Sequence, residues 1–325
     1  MKLTDTYGRK INYLRLSITD RCNMRCRYCM PAEGVEKLSH RQVLNYEELR
    51  RIARCAVALG VEKIRVTGGE PLVRKGIVPF LSSLSSLPGL KHLVLTTNGY
   101  LLEEMAADLK SAGVQRLNVS LDSLQADRFR AITRIGELSR VLAGIAAADR
   151  AGFPVKINMV VMRGVNDDEL EAIAGLALEH PYAIRFIEYM PSRKEPGWQD
   201  LVLPGEKILE RLAARFSLAP ASREDVDGPA RKYLVEGAAG TLGIITPVTG
   251  HFCAECNRIR VTSTGTAISC LFSGGEVDLK PLLAEADDAP LLAALKRIAE
   301  GKPDRHHLSA QENEHDPFAM SSIGG

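Results

Sequence analysis

Between positions 12 and 190, short runs dominated by β-branched and aliphatic residues alternate with longer Ala/Leu/charged segments. The short runs are NYLRLSI (12-18), VEKIRVT (61-67), LKHLVLT (90-96), VQRLNVS (114-120), PVKINMV (154-160) and YAIRFIE (182-188), and their length and composition predict strands. Helical spacing of apolar positions is found near 45-59, 71-86, 101-112, 127-151 and 168-179, with a further stretch near 204-216. In the first of these, Ile52, Cys55, Ala56 and Leu59 form one apolar stripe, which places Cys55 in the core as a buried thiol. Gly60, Gly113 and Gly152 stand where a helix end hands over to the next strand. Such βα repetition predicts mostly parallel strands covered by helices.

An open doubly wound sheet and an α/β barrel both satisfy this pattern, and there is sequence for about six units before position 200. Polar residues recur at the C-terminal ends of the strands: Thr67 to Glu70, Thr96 to Asn98, Asn118 with Ser120 and Asp122, Asn158 and Glu188. In either topology the active site belongs on that face. The pattern changes after about 215: residues 219-230 are turn-rich, and RKYLV, TLGIITPV, NRIRVT and AISCLF are short strand candidates. The chain therefore divides into 1-218 and a smaller α+β cap, 219-325, ending in a polar stretch and Gly324-Gly325.

Composition narrows the class without identifying it. Of 325 residues, 45% are hydrophobic and 25% charged, which describes a globular chain. The net charge of +2 makes no case for nucleic acid or a membrane surface. No apolar run approaches the roughly 20 residues of a bilayer span, and the first residues lack a leader pattern, so a cytoplasmic location is expected.

The cysteines carry more information. Six of the seven fall into two trios: Cys22, Cys26 and Cys29, with spacing C-x3-C-x2-C directly after the first strand, and Cys253, Cys256 and Cys270, spaced C-x2-C-x13-C. An odd number in a chain expected to be cytoplasmic argues against a disulfide framework. Clustered thiolates suit an iron-sulfur cluster or zinc. Zinc would require a fourth ligand, with His40 the candidate at the first trio and His251 at the second. An iron-sulfur cube on three cysteines leaves one iron open to a small molecule. His92 and the pair His306-His307 have no ligand constellation in the sequence and read as structural or exposed.

The run CNMRCRYC resembles the cluster motif of radical S-adenosylmethionine enzymes, and Gly68-Gly69-Glu70-Pro71 resembles their GGEP motif. The resemblance implies an incomplete TIM-type (β/α)6 barrel and a [4Fe-4S] cluster whose open iron is chelated by S-adenosylmethionine. Reduction then cleaves the sulfonium to methionine and a 5′-deoxyadenosyl radical. The further runs IRVTGGEPLVR, TTNGY, LNVSLDSL, INMVVMRGVND, IRFIEYMP, FCAECNRIRVTSTG and the terminal GG narrow it to the GTP-cyclising branch of that family, lyases of molybdenum-cofactor biosynthesis.

What the resemblance implies for the site is specific. Tyr28, Gly69, Glu70, Ser120, Arg185 and Met190 are expected to contact S-adenosylmethionine, and Cys253, Cys256 and Cys270 to hold a second [4Fe-4S] cluster. Arg15, Lys63, Arg65, Thr96, Lys156 and the segment Arg258, Ile259 and Arg260 are expected to bind GTP. The i,i+2 spacing puts Lys63 with Arg65, and Arg258 with Arg260, on one strand face each. Arg258, Arg260, Gly324 and Gly325 are expected to serve the reaction, the glycine tail by entering the cavity. Implied partners are GTP, an external electron donor and a downstream cyclic pyranopterin monophosphate synthase, the chain itself being monomeric or homodimeric. Two competing readings are a radical enzyme that modifies peptides and a zinc-stabilised nucleotide-binding module without catalysis.

Overall fold

The computed structural model describes residues 2-36, 38-39, 41-191, 195-222, 228-272, 276-306, 308 and 320-323. Strands β1 (Tyr13–Ser17), β2 (Lys63–Thr67), β3 (His92–Thr97), β4 (Arg116–Ser120), β5 (Val155–Val161) and β6 (Ala183–Glu188) lie side by side in chain order, all parallel. Helices α1 (Tyr46–Ala58), α2 (Ile77–Ser85), α3 (Leu102–Ser111), α4 (Ala126–Thr133), α5 (Leu138–Arg150) and α6 (Leu170–Glu179) connect them, and α7 (Gly205–Arg215) follows. Helix α1 begins at a reciprocal cap: Glu48 N donates to Asn45 Oδ1 at 2.8 Å and Asn45 N to Glu48 Oε2 at 2.7 Å. Its stripe of Leu49, Ile52, Ala53, Cys55 and Ala56 is buried, so Cys55 is a core thiol.

The C-terminal region adds β7 (Leu218–Pro220), β8 (Arg231–Val235), β9 (Thr241–Ile245), β10 (Arg258–Val261), β11 (Thr266–Ile268) and β12 (Glu276–Asp278), with helices α8 (Ala289–Glu300) and α9 (Met320–Ile323). It joins the barrel through the sheet itself. Strand β10 pairs parallel with β1 and β9 pairs parallel with β6, so eight consecutive strands of a 12-stranded sheet are parallel. Antiparallel β11 and β12 continue one edge, and β8 and β7 the other. The (β/α)6 partial barrel is thus present, with the smaller α+β part extending both of its edges.

The strands are buried on both faces for different reasons. One face, including Leu14, Leu16, Ile64, Val66, Leu95, Val119, Ile157, Phe186, Ile244, Ile259 and Val261, packs in a single core with α1, α2, α3, α5, α6, α7 and α8. The other face carries Tyr13, Arg15, Lys63, Arg65, Thr67, Asn118, Lys156, Arg185 and Arg260, all buried or nearly so. A barrel interior is ordinarily packed with branched aliphatic residues. This one is polar and cationic, which marks it as a place for a ligand. Among the described residues no helix is long and apolar enough to cross a membrane.

Two helices differ from the sequence expectation. The stretch 71-86 is a 3-10 turn, Pro71–Val73, followed by α2, and 127-151 is two helices rather than one. The second break falls at Arg134, whose φ of 66° is the left-handed region that a non-glycine residue enters at a cost. Its guanidinium donates to Arg25 O and Met30 O, both at 2.9 Å, while Arg25 N and Arg27 N donate to Thr133 O and Ile132 O. The broken helix end is therefore the dock of the first cysteine loop. Arg134→Ala is expected to cost about 1-3 kcal/mol through the freed carbonyls, read as a lower melting temperature and faster loss of iron from the reconstituted protein.

Candidate active site

The inward residues of the parallel strands, with the loops above them, line one cavity of about 2030 Å³ including its open mouth. Both cysteine trios line this cavity, and all six thiols are free.

Cys22, Cys26 and Cys29 sit half-buried on the loop after β1. Burial pushes the Cys22 thiol up to about 11, Glu70 adding to it, and that of Cys29 to about 12, with Cys22 adding. Cys26 is raised well above the ordinary range by burial, Asp122 and the other two thiols. Three thiols in this state ionise only if a cation offsets them. A mononuclear zinc site would hold thiolates about 3.8 Å apart, from Zn–S bonds of about 2.3 Å. Among the described residues neither cysteine trio has all three Sγ atoms within 4.8 Å of one another. Three thiols on one short loop are the donor set of a cluster in which each thiolate takes a different iron; His40, the fourth ligand a zinc reading needs, lies outside the described residues.

The GGEP turn braces this loop. Gly69 N donates to Thr19 O and Glu70 N to Arg21 O, both at 2.7 Å, and a Cβ on Gly69 would lie 2.3 Å from Arg21 O. The glycine is thus required by the chain's own backbone entering the cysteine loop. Glu70, 1% exposed, accepts from Leu72 N at 3.0 Å, Thr97 Oγ1 at 2.8 Å and Asn98 N at 2.6 Å. Burial nevertheless raises it to about 7. A carboxylate has about four acceptor directions, so Glu70 keeps roughly one for a ligand facing the cavity. Tyr28, Gly69, Ser120, Arg185 and Met190 all line the cavity. Tyr28 donates its hydroxyl to Asp122 Oδ2 at 2.7 Å, and Val160 N donates to Asp122 Oδ1 at 2.9 Å. Burial lifts Asp122 to about 6, making this strand-end residue a titratable group beside the first trio.

Below this level the interior is cationic. Arg15, Arg65, Thr96, Arg185, Arg258 and Arg260 line the cavity; Lys63 and Lys156 lie two residues nearer the strand starts, and their side chains are not in its wall. Ile259 points the other way, into the hydrophobic core, so only its backbone is available to a ligand at this strand. Arg116 shares its strand face with Asn118 and Ser120, and its charge depresses Lys63, Arg65 and Lys156 after burial has done so. It is a cation that sequence reasoning missed, since one Arg at the start of a strand carries no spacing signal. Tyr13 stacks under the group, with Lys63 Nζ 4.6 Å and Arg65 Cζ 5.5 Å from its ring centre. Burial opposes ionisation of Tyr13, yet Arg65, Lys63, Arg15 and Arg258 bring it down to about 8. Arg65 Nε, Thr96 Oγ1 and Asn118 Oδ1 are buried without hydrogen-bond partners among the described residues. Orphaned polar atoms of this kind are what a bound ligand satisfies.

The second trio lines the same cavity. Cys253 and Cys256 flank a 3-10 turn before β10, and Cys270 follows β11. Burial alone would raise Cys256, but Arg258 and Lys302 bring it down to about 6. Lys302 was not among the sequence candidates; its Nζ donates to Arg258 O at 3.0 Å and Ser269 O at 2.7 Å, fixing a buried ammonium beside the thiol. His306, read from sequence as structural or exposed, is 3% exposed and lines the cavity. Gly324 and Gly325 lie outside the described residues; Met320 lines the cavity and Ile323 packs on Ile268.

A parallel barrel with a free cysteine trio after its first strand and a GGEP turn braced against that loop defines the radical S-adenosylmethionine class. A family model described as the radical SAM superfamily matches residues 16-177, and one described as Molybdenum Cofactor Synthesis C matches 182-308. The chain is 64% identical over 326 residues to the GTP 3′,8-cyclase of Geobacter sulfurreducens, with 100% of each covered. It is 46% identical to the GTP 3′,8-cyclase of Moorella thermoacetica, covering 99% of this chain and 100% of that one. The fold is also that of Streptococcus suis SuiB, crystallised with S-adenosylmethionine, at a TM-score of 0.62 and 15% identity over 88% of this chain and 67% of SuiB. The chain belongs to the GTP 3′,8-cyclase family. That membership sets aside the peptide-modifying and zinc-module readings.

Proposed function

We propose that this protein is a radical S-adenosylmethionine enzyme that cyclises GTP to 3′,8-cyclo-7,8-dihydro-GTP for molybdenum-cofactor biosynthesis. The observation that carries the reading is the barrel interior: Arg15, Lys63, Arg65, Arg116, Lys156, Arg185, Arg258 and Arg260 share the inward strand positions, and five of the eight line the cavity that both cysteine trios also line. Two like charges about 6 Å apart repel by about 3 kcal/mol at an effective dielectric near 20. Such a group is maintained for an anion of high charge density, and a triphosphate supplies one.

In this reading Cys22, Cys26 and Cys29 hold one [4Fe-4S] cluster and Cys253, Cys256 and Cys270 a second. When bound, the first supplies the electron that cleaves S-adenosylmethionine, releasing the adenosyl radical that takes hydrogen from the ribose. Tyr28, Gly69, Glu70, Ser120, Arg185 and Met190 position S-adenosylmethionine near the first trio. Arg15, Arg65, Thr96, Arg260 and the backbone at Ile259 hold GTP, with Lys63 and Lys156 supplying charge from one layer below, and the Gly324-Gly325 tail assists the reaction. Fixing both reactants in one cavity limits where the radical can react. An external one-electron donor feeds the reaction, and the product passes to a downstream cyclic pyranopterin monophosphate synthase. The test is an anaerobic assay of the iron-reconstituted protein with GTP, S-adenosylmethionine and a reductant; S-adenosylmethionine cleavage without cyclised nucleotide would overturn the substrate assignment.

The arginine pair on β10 divides its work. Arg260, 7% exposed, is brought down to about 10 by burial and then by Arg258. Arg258 instead hydrogen-bonds Cys256. Arg260→Ala is expected to weaken GTP binding by about 2-5 kcal/mol at unchanged iron content. Arg258→Ala is expected to lower iron retention at the second trio as well. Nucleotide affinity and iron per chain, measured on both variants, separate the two roles.

A further inference from the structure

Strand β1 places an acid among the cations of the barrel interior. Tyr13 is 1% exposed and lines the cavity, and the parallel register sets it beside Lys63 on β2 and Arg258 on β10. Lys63 Nζ lies 4.6 Å and Arg65 Cζ 5.5 Å from its ring centre, and Arg65 also donates a hydrogen bond to its oxygen. Among the described residues the carboxylates that line the cavity are Glu70 and Asp122, both at the loop level beside the first trio, where each already accepts hydrogen bonds. Tyr13 is therefore the acidic group of the cationic layer itself. We propose that Tyr13 is a positioning residue for GTP, its phenol oxygen acting as the resident counter-charge of Lys63 and Arg65 until a triphosphate replaces it and returns the phenol to its protonated form. The inference deepens the proposed function and rests on its reading of this layer as the phosphate site.

The charges that face the phenol come from three strands: Arg15 on β1, Lys63 and Arg65 on β2, and Arg258 and Arg260 on β10. Burial works against the charge on all five cations, and Tyr13 works for it at each. The effect is mutual, since burial opposes ionisation of the phenol while Arg65, Lys63, Arg15 and Arg258 outweigh it and bring it down to about 8. The neutral ring attracts the two nearest cations through its face, and the ionised oxygen adds a charge-assisted hydrogen bond. Either form holds them in place. A triphosphate brings far more negative charge to the same two side chains, and like charge beside a phenolate favours its neutral form. The arriving phosphates thus displace the oxygen from Arg65 and leave a phenol with a proton to donate. Packing against the cations uses the ring; this exchange uses the hydroxyl.

The test is calorimetry of GTP binding to the anaerobically reconstituted full chain, without S-adenosylmethionine so that nothing turns over, at pH 7 and pH 9 in two buffers of different ionisation enthalpy. Tyr13→Phe keeps the ring and removes the oxygen. With its free-chain value near 8, the phenol is mostly protonated at pH 7 and mostly ionised at pH 9. Proton uptake on GTP binding should therefore fall in the variant by up to about one proton at pH 9 and should not fall at pH 7. Over the same interval wild-type affinity should decline about 10-fold more than that of the variant. That pattern separates Tyr13 from Lys156, whose uptake is present at both pH values because burial, helped by its neighbouring cations, brings it down to about 5. A loss of packing alone would lower affinity equally at the two. Equal pH dependence in wild type and variant would overturn the role of Tyr13 and leave the phosphate site standing, whereas wild-type protein that binds no GTP at either pH would overturn both. Where the variant does not fold, the tyrosinate absorbance of the wild-type chain decides: adding GTP must remove about one tyrosinate at pH 9 and none at pH 7, and an unchanged spectrum at pH 9 would overturn the proposal.

Discussion

Replacing Cys22, Cys26 and Cys29 together with alanine is expected to abolish S-adenosylmethionine cleavage, whereas the same change at Cys253, Cys256 and Cys270 leaves cleavage measurable and removes cyclised GTP. The asymmetry follows from how the two loops are anchored. The first is held by the broken end of α4 through Arg134, by Asn98 Nδ2, which donates to Asn23 Oδ1 at 2.7 Å, and by the GGEP turn. The second is held by Lys302 and Arg9, which bridge β10 and the 303-304 segment. The two anchors are built from different residues, so each iron site should assemble without the other. Iron and sulfide per chain, EPR of the reduced protein and the yield of 5′-deoxyadenosine provide the measurement. Wild-type protein that takes up only one cluster after full anaerobic reconstitution would sink the two-cluster reading, and loss of cleavage in the second variant would show that the sites are coupled.

The barrel was legible because its signals are local. Six strands of five to seven residues and the helices between them show as period and composition, and the first cysteine trio shows as spacing within eight residues. What sequence could not show depends on pairing across long separations. Strand β10, four residues long, finds β1 some 240 positions away, and β9 closes against β6 although a turn-rich segment and two antiparallel strands intervene. The break at Arg134 was invisible for a related reason: the apolar period continues on both sides, and only the docked loop explains why an arginine takes a left-handed conformation there. Arg9, Tyr13, Arg116 and Lys302 were missed as site residues because a lone residue has neither period nor spacing, and His306 was read as structural or exposed for the same reason. Their importance is set by the charges and carbonyls that the fold brings against them.

Lys156→Met is expected to stabilise the ligand-free protein while weakening GTP binding, because the buried amine is held at a cost that only the substrate offsets. Burial is the main reason that Lys156 is brought down to about 5, with Arg185, Arg116, Lys63 and Arg65 adding to it; Lys63 falls to about 8. A lysine with its folded pKa below its unfolded value near 10.4 is protonated in the unfolded chain and neutral in the folded one across the interval between them. The unfolded state then binds more protons, so this group makes stability rise with pH from about 5 toward 10. A triphosphate reverses the balance by favouring the charged ammonium, so GTP binding near neutral pH takes up protons and loses affinity as pH rises. Calorimetry in two buffers of different ionisation enthalpy measures that uptake. In Lys156→Met the uptake should drop by up to about one proton and affinity by about 2-5 kcal/mol, while the melting temperature of the ligand-free chain rises by at least about 2 °C. A wild-type protein that binds GTP without proton uptake, together with a variant of unchanged melting temperature and affinity, would show that the buried lysine is not poised for the phosphates.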